Sequence, residues 1–137
     1  MGLVLDSSVT IAWIYNEETT PPVLEVLDRI IASGAWVPAL WRMEVANVLE
    51  MKVRRRRINA EFRDEALADL SLLPITIDAE TDQHVWSATL QLAVRHQLTV
   101  YDAVYLELAV RRGLPLATLD RELRAAAQAE GVTLLGV

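Results

Sequence analysis

GLVLDSSVTIAW, from Gly2 to Trp13, is the stretch on which the fold turns. Leu3, Val4 and Leu5 make a short continuous apolar run, the pattern of a strand buried on both faces, and the run ends on Asp6. Ser7 to Tyr15 then reads as a helix. LPLATLD, from Leu114 to Asp120, places a second acid at the same kind of junction, after an apolar run and before a helix.

Between these two junctions the chain alternates. Pro21 and Pro22 open a second helix, where the first N–H groups have no partner to lose. Val23, Leu24, Leu27, Ile30 and Ile31 follow at helical spacing, and Gly34 stops it. Trp36 and Val37 suit a second strand, and a helix runs from about Leu40 through a basic tract. Asn59 caps another helix, with Phe62, Ala66, Leu67 and Leu70 as its apolar stripe. Ile75 to Ile77 is a third strand, and Glu80 to Gln97 a long helix with Val85, Leu92 and Val94 among its buried candidates. Thr99 precedes a helix that Gly113 stops, Leu114 to Thr118 is a strand, Asp120 opens a helix, and Val132 to Leu135 is a last strand. Parallel neighbours need crossovers, and those are usually helical, so the pattern predicts an α/β, three-layer fold: a mainly parallel sheet with helices on both faces.

The chain has 137 residues, 53% hydrophobic and 23% charged, the balance of one globular domain spanning residues 1–137 and not of a disordered segment. With no cysteine, disulfides and thiolate metal sites are excluded, and any metal must be held by oxygen or imidazole. Apolar runs such as AWVPALW, Ala35 to Trp41, fall far short of the roughly 20 residues that cross a bilayer, so no membrane role is expected. The first residues carry no basic segment before the apolar run and Asp6, which predicts a cytoplasmic protein.

A net charge of −6 argues against a protein that grips nucleic acid over its whole surface. Lys52, Arg54, Arg55, Arg56 and Arg57 nevertheless place five cations within six residues. They serve either as a solvated helix end complementing the helix dipole or as a contact for phosphate or an acidic partner.

Four acids stand out. Asp6 and Asp120 each have the position of an N-cap, and Thr99 to Asp102 has the spacing of a capping box, so capping is an adequate account of each alone. Glu44 resists that account. It lies a turn into its helix and shares a face with Leu40, Trp41, Val48 and Met51, so a positive partner such as Arg42 or a tract arginine is expected, with Asn47 at i+3 to orient it. Taken jointly the acids say more. Ligand sites of parallel α/β sheets gather beyond the carboxyl ends of the strands, where all four would converge. Crowded carboxylates repel unless a cation intervenes. An oxygen-only donor set points to Mg²⁺ or Mn²⁺, and such an open site suits phosphodiester hydrolysis.

The sequence resembles the PIN-domain ribonucleases, and especially the VapC toxins of toxin–antitoxin pairs, over nearly its whole length. The resemblance rests on VLDSSVTIAW around Asp6, MEVANVL around Glu44, LTVYDAVYLELA around Asp102 and LATLD ending at Asp120. It implies a metal-dependent endoribonuclease with Asp6, Glu44 and Asp102 as principal acids and Asp120 as a more variable fourth. Ser8 and Thr118 match polar positions that support the site. The resemblance also implies a homodimer and a VapB-like antitoxin that blocks the crevice, so the basic tract would meet RNA or that antitoxin.

Other readings fit less well. A haloacid-dehalogenase-type phosphatase wants a second Asp where Ser8 stands and a lysine near the site, and the only lysine, Lys52, lies in the arginine tract. A PIN-like module that binds RNA or protein without catalysis is opposed by intact acids at all four positions. No G-x-G-x-x-G follows the first strand, which weighs against a dinucleotide site. His84 and His96 stand twelve positions apart and form no i, i+4 metal pair. Trp13, Trp36, Trp41 and Trp86 are expected as core or interface anchors, and Tyr101 and Tyr105 as packing residues.

Overall fold

The computed structural model describes residues 2–137. Its centre is β1 (Leu3–Leu5), every residue of which is buried, as a strand with neighbours on both edges and helices on both faces must be. β1 pairs in parallel with β2 (Ala35–Val37) on one side and β4 (Leu116–Ala117) on the other. β3 (Ile75–Ile77) and β5 (Leu134–Leu135) add outside them, also in parallel, giving the order β3-β2-β1-β4-β5. The chain therefore builds outward from β1 through β2 to β3, then returns to the other side of β1. The gap between β1 and β4 is the topological switch point, where doubly wound sheets open a crevice at their carboxyl edge.

The helices begin where the sequence supplies caps. In α1 (Ser7–Ile14) Asp6 occupies the N-cap position. α2 (Pro21–Ser33) starts with Thr20 Oγ1 accepting from the Val23 N–H at 3.4 Å and ends at Gly34, whose φ of 81° suits glycine. α3 (Leu40–Arg54) leaves β2, and α4 (Ala60–Leu70) is capped by Asn59 Oδ1 on the Phe62 N–H at 2.7 Å. α5 (Thr81–His84) runs through a π-helical turn, Val85–Thr89, into α6 (Leu90–His96). α7 (Val100–Arg112) and α8 (Arg121–Ala129) complete the set. α1 packs on α2 and α3, while α7 packs on α6, α8, β1 and β4, so the sheet is sandwiched as the alternation predicts.

Several expectations are corrected. The helix that was to run through the basic tract ends at Arg54, because Arg56 takes a left-handed φ of 58° and the Arg57 N–H returns to the Lys52 carbonyl at 2.9 Å. This is a Schellman-type ending with arginine where glycine usually signals the stop. The strand expected over Leu114 to Thr118 shortens to two residues: the Leu114 N–H is taken by the Ala109 carbonyl of α7 at 3.0 Å, and Pro115 has no N–H to give. The last strand likewise begins at Leu134, since the Val132 N–H closes α8 on Ala127 at 2.9 Å. Val94, expected inside, is 72% exposed, and Leu24 and Ile31 also face outward. The π-turn rotates the residues beyond it out of the 3.6-residue phase from which Val94 was assigned. Trp13, Trp36 and Trp41 pack against the fold, whereas Trp86 is 92% exposed. Among the described residues no helix is long and apolar enough to cross a membrane.

Candidate active site

Asp6 sits at the carboxyl end of β1 and is buried, yet its side chain makes no N-cap hydrogen bond. Its carboxylate is held instead by two hydroxyls, Ser8 Oγ and Thr118 Oγ1, each donating to Oδ2 at 2.7 Å. Oδ1 is left without a side-chain donor. Ser8 Oγ in turn accepts from the Leu119 N–H at 3.0 Å, and Thr118 Oγ1 accepts from the Asp120 N–H at 3.1 Å. The two hydroxyls thus tie the end of β1 to the loop leaving β4 across the switch point.

Asp6, Asp102 and Asp120 line one open cavity there, together with Ser7, Ser8 and Lys52. Asp102 lies in the first turn of α7, where Thr99 Oγ1 accepts from its backbone N–H at 3.1 Å. The cap of α7 is Thr99, which leaves the Asp102 carboxylate available. Asp120 does act as a cap, with Oδ2 accepting from the Leu123 N–H at 3.3 Å, so at that position the simple helix-capping account holds.

Glu44 is half-buried beside this cavity, and no arginine reaches it. The partner is the buried Tyr105, whose hydroxyl donates to Oε1. Nor does Asn47 orient Glu44: it faces solvent, because i+3 on α3 has turned away from the core. Tyr105, which the sequence marked only as a packing residue, lies one helical turn after Asp102 on α7. Tyr101, by contrast, is 66% exposed and does not pack, since it points away from the buried face of α7.

The electrostatics follow from this crowding. Burial raises the pKa of Asp6 against the lowering effect of its two hydroxyl donors, and the Asp120 charge raises it further. Burial also raises Glu44, opposed by Tyr105 and reinforced by the charges of Asp6 and Asp102. Asp102 is raised by burial and by Asp120 and Asp6. Burial and the Glu44 charge hold the Tyr105 hydroxyl firmly protonated. Among the described residues none of the four acids has a salt bridge.

Oxygen donors of one sign, partly dehydrated and, among the described residues, in no salt bridge with the Lys52 that shares their cavity, fit a hard divalent ion. Among the described residues no three Asp, Glu or His side chains already stand close enough to hold one ion in common. The arrangement therefore suits a cation bound directly by one or two carboxylates, with water and substrate completing its coordination, as Mg²⁺ commonly is.

Residues 3–129 match the PIN domain family. The chain belongs to it. Ribonuclease VapC3 of Pyrobaculum aerophilum is 31% identical over 125 residues, covering 90% of this chain and 92% of that protein. Ribonuclease VapC1 of Mycobacterium tuberculosis is 31% identical over 123 residues, covering 90% and 89%. The crystal structure of VapBC2 from Rickettsia felis, bound to a DNA fragment from their promoter, superposes with a TM-score of 0.66. It covers 98% of this chain and 97% of that one at 13% identity, a likeness of fold. In this PIN domain the switch-point crevice is the carboxylate site.

Sequence reasoning missed two further features. Lys52 belongs to the crevice and not to the solvated tract, its Nζ lying 3.6 Å from Glu18 Oε2 and 3.9 Å from the centre of the Tyr15 ring. Asp78, buried after β3, receives Arg111 at 2.6 Å and Arg112 at 3.1 Å, and Arg112 also stacks on Trp36. Nothing in the local pattern around Asp78 marks it.

Proposed function

We propose that the protein is a divalent-metal-dependent endoribonuclease, the toxin of a VapBC-type toxin–antitoxin pair. The observation that carries this reading is the group of Asp6, Asp102 and Asp120, in no salt bridge among the described residues, lining the switch-point crevice with Glu44 beside them. The similarity to proteins named as VapC ribonucleases supports it.

One or two of Asp6, Glu44, Asp102 and Asp120 would bind Mg²⁺ or Mn²⁺ directly, the others acting on it through water. When bound, the ion supplies charge neutralisation at the phosphate and activation of the attacking water. The chain's own residues prepare the site. Ser8 and Thr118 fix Asp6 through Oδ2, while Tyr105 holds Glu44 against the repulsion of its neighbours. Asn47 has no part in this arrangement. An RNA strand enters an open cleft, so the reading includes a VapB-like antitoxin that covers it, a homodimer as the assembly, and action in the cytoplasm, where the RNA is.

Total cellular RNA incubated with the protein, with and without Mg²⁺, with fragment ends mapped, tests the reading. Metal-dependent cuts that vanish in Asp6→Asn and Asp102→Asn, both still folded, are the expected result. RNA binding with no metal-dependent cut would favour the inactive binding module, and full activity in either variant would overturn the residue assignment.

A further inference from the structure

The five cations of the basic tract do not act as one patch. Arg54 is occupied by Glu50, with Nε 3.0 Å from Oε2, and Arg55 projects into solvent beyond the helix end. Lys52 turns the other way. It is mostly covered, lines the carboxylate crevice, and rests its ammonium on the Tyr15 ring and against Glu18. A second open cavity is lined by Tyr15, Arg56, Arg57 and Asn59. Arg57 shares this cavity with Tyr15, and its backbone N–H returns to the Lys52 carbonyl at 2.9 Å. Tyr15 therefore links the two: its ring carries the Lys52 ammonium that lines the crevice, and it also lines the cavity that holds Arg57. The left-handed Arg56 is what makes this possible, because the Schellman turn swings Arg57 back toward α1.

We propose that Lys52 and Arg57, bridged by Tyr15, form a phosphate track that leads a single RNA strand out of the carboxylate crevice. This rests on the endoribonuclease reading and adds the direction in which substrate leaves the reacting bond. The physical need is plain: a strand carrying one negative charge per nucleotide must approach a cluster of carboxylates, and cations at the mouth offset that repulsion. The Tyr15 ring, which lines the second cavity, also offers an aromatic surface on which a base stacks while the flanking phosphates are neutralised. Glu18 holds Lys52 at its post between substrates, and an arriving phosphate exchanges with it. The track acts in positioning, since neither cation belongs to the carboxylate set.

The test uses fluorescently labelled, mixed-sequence single-stranded RNA and the full chain carrying Asp6→Asn, with Mg²⁺ present, measuring affinity by anisotropy across a salt series. Lys52→Met and Arg57→Ala should each weaken binding about fivefold and flatten the log–log salt slope by about 0.7 for each lost phosphate contact. Lys52→Arg should restore most of the loss. Arg29→Ala, removing an exposed charge on α2, should change neither quantity. In the chain with Asp6 intact the same two variants should raise KM with kcat nearly unchanged. Unaltered salt slopes in both variants, or a loss equal to theirs in Arg29→Ala, would overturn the track. So would an acidic peptide that binds the parent and is lost in both variants while RNA binding stays intact, which would assign the cations to a protein partner. If binding behaves as expected but the intact chain cuts no RNA in Mg²⁺ or Mn²⁺, the track stands and the nuclease reading fails.

Discussion

The Tyr105 hydroxyl donates to the Glu44 carboxylate across 61 positions of sequence, joining α7 to α3 at the edge of the acidic crevice. Among the described residues Glu44 has no cationic partner, so this bond is its main compensation for leaving water. Tyr105→Phe removes the donor and keeps the ring. A hydrogen bond to a charged group contributes about 1.5–3 kcal/mol when buried, and the half-exposure of Glu44 places the expected loss at the lower end. Chemical denaturation should show that loss with an unchanged m-value. The fraction of Glu44 protonated near neutrality should rise, weakening metal binding in a Mn²⁺ titration. A variant as stable as the parent, with equal metal affinity, would mean the bond is incidental.

The three raised acids set a pH dependence with a definite sign. Asp6, Glu44 and Asp102 each titrate higher in the folded chain than in the unfolded one. Between the unfolded and folded pKa values the native state binds more protons, so metal-free stability falls as pH rises through that window and stays low above it. The full contribution is present only below the ordinary carboxylate range. A divalent ion needs the deprotonated forms, so its stabilisation should grow over the same window. Thermal melts from acid to neutral pH, with and without Mn²⁺, should show two curves that diverge as pH rises. Asp102→Asn should raise the Tm of the metal-free protein, by relieving repulsion, and shrink the Mn²⁺ shift. Parallel curves would count against a shared cation site.

What the sequence made legible was whatever local chemistry dictates. The buried run at Leu3 to Leu5, Asn59 and Thr99 as caps, and Gly34 and Gly113 as stops all appear where their residue types require. Strand–helix alternation was enough for the sheet, and two acids at strand ends were enough to place the crevice. The failures share one cause. Arg56 adopts a left-handed conformation that glycine usually announces, so the end of α3 carried no warning. The π-turn at Val85–Thr89 has no glycine or proline to mark it. Glu44 was rightly singled out as a costly charge, but which of several residues answers it depends on how α7 crosses α3. That relation exists only in three dimensions, as does the separation of Lys52 from the arginines that follow it.

Asp78 offers a test of the fold away from the crevice. Its side chain is fully buried, receives Arg111 and Arg112, and accepts from Thr81 Oγ1 at 2.8 Å. These donors hold its carboxyl far below the ordinary range in spite of burial. The sign is therefore opposite to that of the crevice acids: its contribution is present above the unfolded carboxylate pKa and disappears only in strong acid. Asp78→Asn should cost about 3 kcal/mol, the low end for breaking a buried pair, because Arg111 keeps Glu107 at 2.8 Å. Cleavage and metal affinity per folded molecule should be unchanged. A loss of activity greater than the loss of folded protein would tie this network to the crevice.

The hydroxyl pair at Asp6 gives the sharpest test of preorganisation. Ser8 and Thr118 donate to the same oxygen, stand 3.5 Å from each other, and anchor the backbone of Leu119 and Asp120. Thr118→Val conserves shape in a fully buried position but deletes the donor to Asp6 and the acceptor for the Asp120 N–H. Each substitution leaves one part-buried N–H without its side-chain partner, that of Asp120 in Thr118→Val and that of Leu119 in Ser8→Ala, and the fuller burial of Thr118 sets its expected loss at about 2 kcal/mol against about 1 kcal/mol for Ser8→Ala. Because both act on one carboxylate, the double variant should depart from additivity by about 0.5 kcal/mol or more. The effect on cleavage should exceed the effect on stability. With one hydroxyl gone Asp6 still has a fixed rotamer; with both gone it is free to turn, and its burial then pushes it toward the protonated form. Single-turnover cleavage should accordingly fall modestly in each single variant and by at least tenfold beyond their product in the double. A strictly multiplicative loss would mean that each hydroxyl acts alone and that Asp6 is positioned by its backbone.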